Sequence, residues 1–244
     1  MSADIIHEGH INILKVGKKY GEVIVGLMTD KAIVSYKRLP HLNYKQRKII
    51  LENLRMVDKV IPQTELDYTK NLLKIKPDYV VHGDDWKIGP LKVTRKKVIN
   101  ILKRWSGKII EPKYTKNISS TNIKNKIFET GTAPEVRRGK IRRLFQSKDI
   151  VRILESHSPI TGLIIEKLNI RKDGKYYVEF DGMWSSSLTD STLKGKPDNQ
   201  SLDYSSRLLS LKEMMEVTTK PVIFDGDNGG NIEHLPYLVR SLDQ

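Results

Sequence analysis

Short, nearly continuous apolar runs separated by segments of helical period recur along this chain, and a polypeptide with that alternation winds into a parallel sheet covered by helices. Glu22-Val23-Ile24-Val25-Gly26-Leu27-Met28, bounded by Gly21 and Thr29, reads as a strand buried on both faces. Ahead of it, Ile11, Leu14 and Lys15 follow His10 at helical spacing. The pattern continues as a helix near Tyr44–Val57, a strand at Lys59–Ile61, a helix near Asp67–Ile75 and a strand at Tyr79–Val81. A helix near Val93–Trp105, a strand at Lys108–Glu111 and a helix starting at Ser119–Thr121 complete a first series. A second follows the basic stretch Thr130–Lys148: strand Val151–Ser156, helix Thr161–Leu168, strand Val178–Ser185, helix Ser205–Val217, strand Pro221–Asp225 and a last helix near Glu233. Residues 1–130 and 149–244 are expected to form two domains, with 131–148 a basic linker and the start of the second region. In open α/β sheets, ligands bind beyond the carboxyl ends of the strands.

The net charge of +14 is unevenly placed: residues 1–150 hold 32 Lys and Arg against 15 Asp and Glu, and residues 151–244 hold 11 against 14. A basic first part suits any polyanion, from nucleic acid to a nucleoside triphosphate or a small phosphorylated compound. Aromatic residues are only 7% of the chain, with no interleaved basic and aromatic platform, which argues against nucleic acid. The absence of cysteine excludes disulfides and thiolate chemistry. No apolar stretch approaches a membrane span and the N-terminus does not read as a signal peptide, so a cytoplasmic protein is expected.

The segment Ser2-Ala3-Asp4-Ile5-Ile6-His7-Glu8-Gly9-His10 puts two imidazoles three residues apart at the mouth of a helix. Unpaired N–H groups and the helix dipole favour an anion there. The spacing alone also allows a partial metal site or an accidental pair. His7-Glu8-Gly9-His10 matches the His-x-Gly-His motif of the nucleotidyltransferase superfamily, and Ile118-Ser119-Ser120-Thr121-Asn122-Ile123-Lys124 is similar to the motif near that fold's C-terminal end. Between them, Arg47-Lys48, Arg55-Met56-Val57-Asp58-Lys59-Val60-Ile61-Pro62 and His82-Gly83-Asp84-Asp85-Trp86 resemble the glycerol-3-phosphate and ethanolamine-phosphate cytidylyltransferases. The resemblance implies a doubly wound, Rossmann-like domain in which a substrate oxygen attacks the α-phosphorus of CTP and pyrophosphate leaves. It would give His7 and His10 the triphosphate and the transition state, Lys37 or Arg38 a mobile cation, and Arg55 the substrate phosphates. Ser2, Ala3, Asp4, Gly9, Asp84, Asp85 and Trp86 would surround the nucleotide, and Ser119, Ser120 and Thr121 would hold its β- and γ-phosphates. Read alone, the last three are a capping cluster and the Asp84–Asp85 pair an ordinary turn. Lys113 lies where the family often has an arginine, and the strand that leads into the histidine turn in this fold is expected to be lacking.

In the second series Glu155-Ser156-His157-Ser158, Gly182-Met183-Trp184-Ser185-Ser186-Ser187 and Phe224-Asp225-Gly226-Asp227 each follow a strand. Two carboxylates one residue apart can reach Mg²⁺ directly or through water, although an Asp-Gly turn is also simply a solvated turn. These segments resemble phosphoenolpyruvate mutase of the isocitrate lyase-like (β/α)8 barrels. The resemblance implies that Trp184, Ser186 and Asp198 contact substrate and that Asp225 and Asp227 bind magnesium. It covers three of eight βα units, and the family's Glu-Asp-Lys motif is absent, so an inactive, partial mutase barrel is expected.

Together the two resemblances imply a cytidylyltransferase joined to a mutase, as in phosphonate biosynthesis. The expected partners are CTP and a small phosphonate (2-hydroxyethylphosphonate or 2-aminoethylphosphonate) or phosphate monoester, with phosphoenolpyruvate for a full-length mutase. A homo-oligomer is compatible with both. A phospholipid-head-group cytidylyltransferase is the alternative enzyme, and a basic nucleic-acid-binding protein the alternative of another class.

Overall fold

The structure, a computed structural model, describes residues 1–88, 91–113, 137–172 and 176–243. It divides into two compact units, one of residues 1–124 and 171–177 and the other of residues 125–170 and 178–244. Both are α/β with parallel strands.

The first unit begins with α1 (Glu8–Lys18), then β1 (Ile24–Met28), α2 (Asp30–Val34), α3 (Tyr44–Glu52), β2 (Lys59–Gln63), α4 (Thr69–Ile75), β3 (Tyr79–Val81), a 3-10 turn at Asp84–Lys87, α5 (Lys92–Leu102) and β4 (Lys108–Ile110). β1 pairs with β2 in parallel, Val25 opposite Val60, and β3 pairs with β4, Val80 opposite Ile109. Among the described residues these pairs remain two separate sheets, each with its own core. Leu14, Val25, Leu27, Leu51 and Val60 fill the first; Leu72, Trp86, Val98, Ile101 and Leu102 fill the second. Met1 lies along the open edge of β1, its amino group donating to the Gly26 carbonyl and its carbonyl accepting from Met28 N–H.

The sequence pattern runs α3 five residues too far. The helix stops at Glu52, and Asn53–Met56 turn toward β2, with Leu54 and Met56 packing against the first core. The short helix α2 and the 3-10 turn are too brief to carry a period. The helix expected at Ser119–Thr121 lies outside the described residues.

The second unit contains α6 (Lys140–Ser147), β5 (Ile153–Glu155), α7 (Pro159–Lys167), β8 (Gly182–Ser185), α8 (Ser187–Leu193), α9 (Tyr204–Glu216), β9 (Val222–Phe224) and α10 (Leu235–Leu242). β6 (Asn169–Lys172) and β7 (Tyr176–Glu179) form a two-stranded sheet between α7 and β8. The order β5-β8-β9, all parallel, is the winding of a βα barrel wall.

The single strand expected over Val178–Ser185 is two, β7 and β8. Asp181 separates them: its buried carboxylate accepts from Arg152 N–H and pairs with Lys148. The basic stretch expected as a linker and the start of the second region groups, over 137–147, with the second unit. Arg137 donates to the Met215 and Thr218 carbonyls, and Lys140 to that of Thr219, so these charges bind main chain that the end of α9 leaves unpaired.

Candidate active sites

Two sites form at strand ends, one in each unit. In the first, His7 is the N-cap of α1: its Nδ1 accepts from Gly9 N–H (3.2 Å), while its own main-chain N–H donates to Nδ1 of His10 (3.4 Å). This is a capping box built from two imidazoles. The rings are 4.0 Å apart. Because both Nδ1 atoms accept, each neutral ring carries its proton on Nε2, on the edge away from the helix. Burial lowers the pKa of His7; burial first, then His7, the Met1 amino group and Lys37, bring His10 to about 4. At neutral pH the turn presents uncharged N–H donors.

The chain ahead of the histidines is tied to the α2–α3 connection. Lys37 Nζ donates to Ser2 Oγ (2.9 Å), and the buried Asp4 carboxylate accepts from His41 and Leu42 N–H (3.1 and 3.0 Å). Ala3 between them has a φ of 49°, a left-handed conformation rare for alanine. Arg47, fully buried on α3, donates to the carbonyls of Leu42 (3.1 Å) and Ser2 (2.5 Å) and pairs with Asp30 (2.6 Å). Lys37 therefore joins the histidine turn, while Arg38 beside it is half-buried. Arg55 is exposed on the turn after α3, and no hydrogen bond among the described residues joins it to the histidines.

At the exit of β3, Asp84 is half-buried, Asp85 is exposed and Trp86 is fully buried, so the indole reaches no ligand directly. Trp86 Nε1–H donates to Glu111 (2.6 Å), and its ring lies parallel to that of His82, 4.0 Å away. Arg95, bidentate on Glu111 (2.7 and 3.0 Å), holds that carboxyl at about 2, aided by Trp86 and Lys87 and opposed by partial burial. Ser119, Ser120 and Thr121 lie outside the described residues. Sequence reasoning passed over Arg47, His82 and Glu111 as site residues. Arg47 and His82 stand in quoted motifs and Glu111 ends a predicted strand, but the contacts Arg47–Ser2, Trp86–Glu111 and Arg95–Glu111 span 45, 25 and 16 residues in sequence.

In the second unit, β8 and β9 bring Trp184, Ser186, Asp225 and Asp227 to one end of the sheet, Asp225 N–H donating to the Ser185 carbonyl (2.9 Å). Trp184 is 38% exposed, on the face opposite Met183, which packs toward Gly162 of α7. Ser186 caps α8. Asp198, on the exposed loop between α8 and α9, makes no described hydrogen bond to Trp184 or Ser186.

The carboxyl group of Asp225 accepts from Asp227 N–H (3.0 Å) and Ser187 Oγ (3.4 Å). Arg207, another residue the sequence did not single out, is buried on α9. It donates to Asp190 (2.9 Å), the Asp225 carbonyl (2.7 Å) and Asp227 (3.4 Å), and lies 4.3 Å over the Phe224 ring. No group of three or more acidic or histidine ligands occurs among the described residues. Two carboxylates with hard oxygen donors still suit an ion that keeps several of its waters.

An α/β unit with paired histidines at a helix mouth fits the nucleotidyltransferase class. The chain belongs to the cytidylyltransferase-like family, matched over residues 2–126, and residues 141–244 match the phosphoenolpyruvate phosphomutase family. It is an enzyme with a nucleotidyltransferase region, followed by a region similar to the phosphomutases.

Glycerol-3-phosphate cytidylyltransferase of Bacillus subtilis is 32% identical over 126 residues, 51% of this chain and 90% of that protein. FAD synthase of Archaeoglobus fulgidus is 35% identical over 82 residues, 34% of this chain and 60% of that one. Phosphoenolpyruvate phosphomutase of Tetrahymena pyriformis is 31% identical over 106 residues, 43% of this chain; the chain spans 32% of that protein's length. No described helix is long and apolar enough to cross a membrane.

Proposed function

We propose that the first region transfers CMP from CTP to an anionic oxygen of a small phosphonate, 2-hydroxyethylphosphonate or 2-aminoethylphosphonate, and releases pyrophosphate. The observation that carries this is the pair of neutral Nε2–H donors on His7 and His10, with Lys37 held beside them through Ser2. The acceptor oxygen forms a bond to the α-phosphorus while the bond from that phosphorus to the α–β bridging oxygen breaks. Charge that builds on the α-phosphoryl oxygens meets two preorganised donors, and Lys37 supplies the cation for the triphosphate. Gly9, Ser2, Ala3, Asp4 and Asp84 shape the surrounding backbone, Trp86 acts through the groups stacked on it, and Ser119, Ser120 and Thr121 would take the β- and γ-phosphates.

The phosphonate acceptor is supported by the attached mutase region, since a phosphoenolpyruvate mutase moves a phosphoryl group from oxygen to carbon. In that region Trp184, Ser186 and Asp198 would face the substrate. Asp225 and Asp227 would hold Mg²⁺, which supplies charge neutralisation for an anionic substrate. Arg207 keeps the strand ends carrying those carboxylates in register. The likeness to a glycerol-3-phosphate cytidylyltransferase favours a second reading in which the acceptor is a phosphate monoester.

Pyrophosphate release with CTP and a panel of acceptors separates the two. Release with the phosphonates supports the first; release only with glycerol 3-phosphate or phosphoethanolamine sinks the phosphonate acceptor. Salt-sensitive RNA binding without CTP binding would replace both with a nucleic-acid-binding protein.

A further inference from the structure

His82 has one ring edge engaged and one open. Its main-chain N–H donates to the Ile110 carbonyl (3.1 Å), which fixes the backbone at the carboxyl end of β3. Nδ1 lies 2.8 Å from the Gly83 carbonyl and 3.8 Å from an Asp85 oxygen. A carbonyl only accepts, so Nδ1 carries the proton and Nε2 presents a lone pair. The plane of the ring is fixed by Trp86, 6° from parallel beneath it, and Trp86 is in turn anchored through Glu111 to Arg95.

Nε2 has no partner among the described residues and is not among their buried unsatisfied atoms, so with the side chain 23% exposed it faces open space. Burial depresses the pKa of the ring, which keeps that nitrogen an acceptor at neutral pH. α1, whose first turn carries His7 and His10, packs against β3, with Val81 Cγ2 3.9 Å from where a Cβ on Gly17 would lie, and His82 follows Val81 at the carboxyl end of that strand, the end at which ligands bind in open α/β sheets.

We propose that His82 Nε2 accepts a hydrogen bond from the exocyclic amino group of the nucleotide base, so that the site takes an amino-bearing base in preference to its oxo counterpart. This rests on the nucleotidyltransfer reading and deepens it. The chemistry is shared by the 4-amino group of cytosine and the 6-amino group of adenine; CTP against UTP and ATP against ITP are the arms that tell them apart.

The test measures kcat/KM for pyrophosphate release with these four nucleotides, using the whole chain, its His82→Leu variant and its His82→Gln variant, whose amide oxygen keeps an acceptor. The wild type is expected to prefer one amino-bearing nucleotide. His82→Leu should cut that preference about tenfold, the effect of one hydrogen bond, while His82→Gln retains most of it. A companion needs no variant: the triphosphate of 2-pyrimidinone riboside, which lacks the 4-amino group, should bind the wild type about tenfold more weakly than CTP when followed by tryptophan fluorescence.

If His82→Leu slows all four nucleotides equally, His82 only supports Trp86 and the inference fails while the nucleotidyltransfer reading stands. An undiminished affinity for the deaminated analogue, with ATP and ITP also bound equally, overturns it even if the leucine variant does not fold. No pyrophosphate release by the wild type with any nucleotide and any acceptor would remove the nucleotidyltransfer reading and this inference with it.

Discussion

A histidine whose Nδ1 already accepts a main-chain hydrogen bond has only Nε2 left for its proton, and this holds for His7 and His10 alike. Protonating either ring breaks an acceptor of the α1 cap and places charge where burial opposes it. The sign for His10 follows from its folded pKa of about 4 against 6.5 in the unfolded chain. Above pH 6.5 the ring is neutral in both states; between 6.5 and 4 the unfolded chain binds the proton first, so stability falls as pH falls. At about 1.4 kcal/mol per unit, the loss by pH 4 is on the order of 3 kcal/mol. His10→Gln keeps a capping acceptor without the titration. Urea midpoints from pH 7.5 to 4.5 should therefore fall more steeply in the wild type than in the variant, and parallel curves would show that His10 titrates as a free imidazole. The histidine pair was legible in the sequence because its partners are its own neighbours, within three residues. His82 and Arg47 were not, because what makes each of them matter depends on a distant segment: the Trp86 ring under His82 is anchored by its hydrogen bond to Glu111, and Arg47 donates to the Ser2 carbonyl.

At the level of elements, the apolar runs at Val25–Met28, Tyr79–Val81 and Val222–Phe224 were legible because a short unbroken apolar run has no polar alternation to blur, although only the first of them is substantially buried. The merged β7 and β8 show the opposite case: Val178–Ser185 reads as one strand, and only the buried Asp181, clamped by Lys148 and Arg152, reveals the break. β8 then starts at Gly182 for a steric reason. A Cβ there would lie 2.8 Å from the Pro221 carbonyl oxygen and 2.9 Å from Ile153 Cδ1, so side-chain volume would push β8 away from β9 and β5. Gly182→Ala is expected to cost about 1–3 kcal/mol, the range for overpacking a fitted site. Because Met183 N–H donates to that same Pro221 carbonyl, the shift should be transmitted to Trp184 and Asp225, visible as a changed near-ultraviolet tryptophan signal before unfolding. A variant as stable as the wild type with an unaltered signal would mean that β8 and β9 are less tightly registered than these distances indicate.

Across the whole molecule, the basic charge has two destinations, and they respond differently to salt. Arg137 and Lys140 are spent on carbonyls near the end of α9, and Arg47 on Ser2, Leu42 and Asp30, so these cations are internal and weakly screened. Others in the first 150 residues, Lys45, Lys74, Lys92 and Lys96 among them, are exposed and have no ion pair among the described residues, so they act on an approaching anion through solvent. Such a field raises the rate at which a triphosphate reaches its site and decays over a Debye length of about 10 Å at 0.1 M salt. Raising KCl from about 50 mM to about 300 mM is therefore expected to increase KM for CTP several-fold while kcat is held, because in the proposed reaction the donors at the reacting phosphate would be uncharged imidazoles in direct contact with it. Steady-state kinetics at fixed pH and fixed free magnesium checks this. If kcat falls in step with added salt instead, screened charge is acting on the transition state, and the neutral-histidine account of the first site is the part that has to be given up.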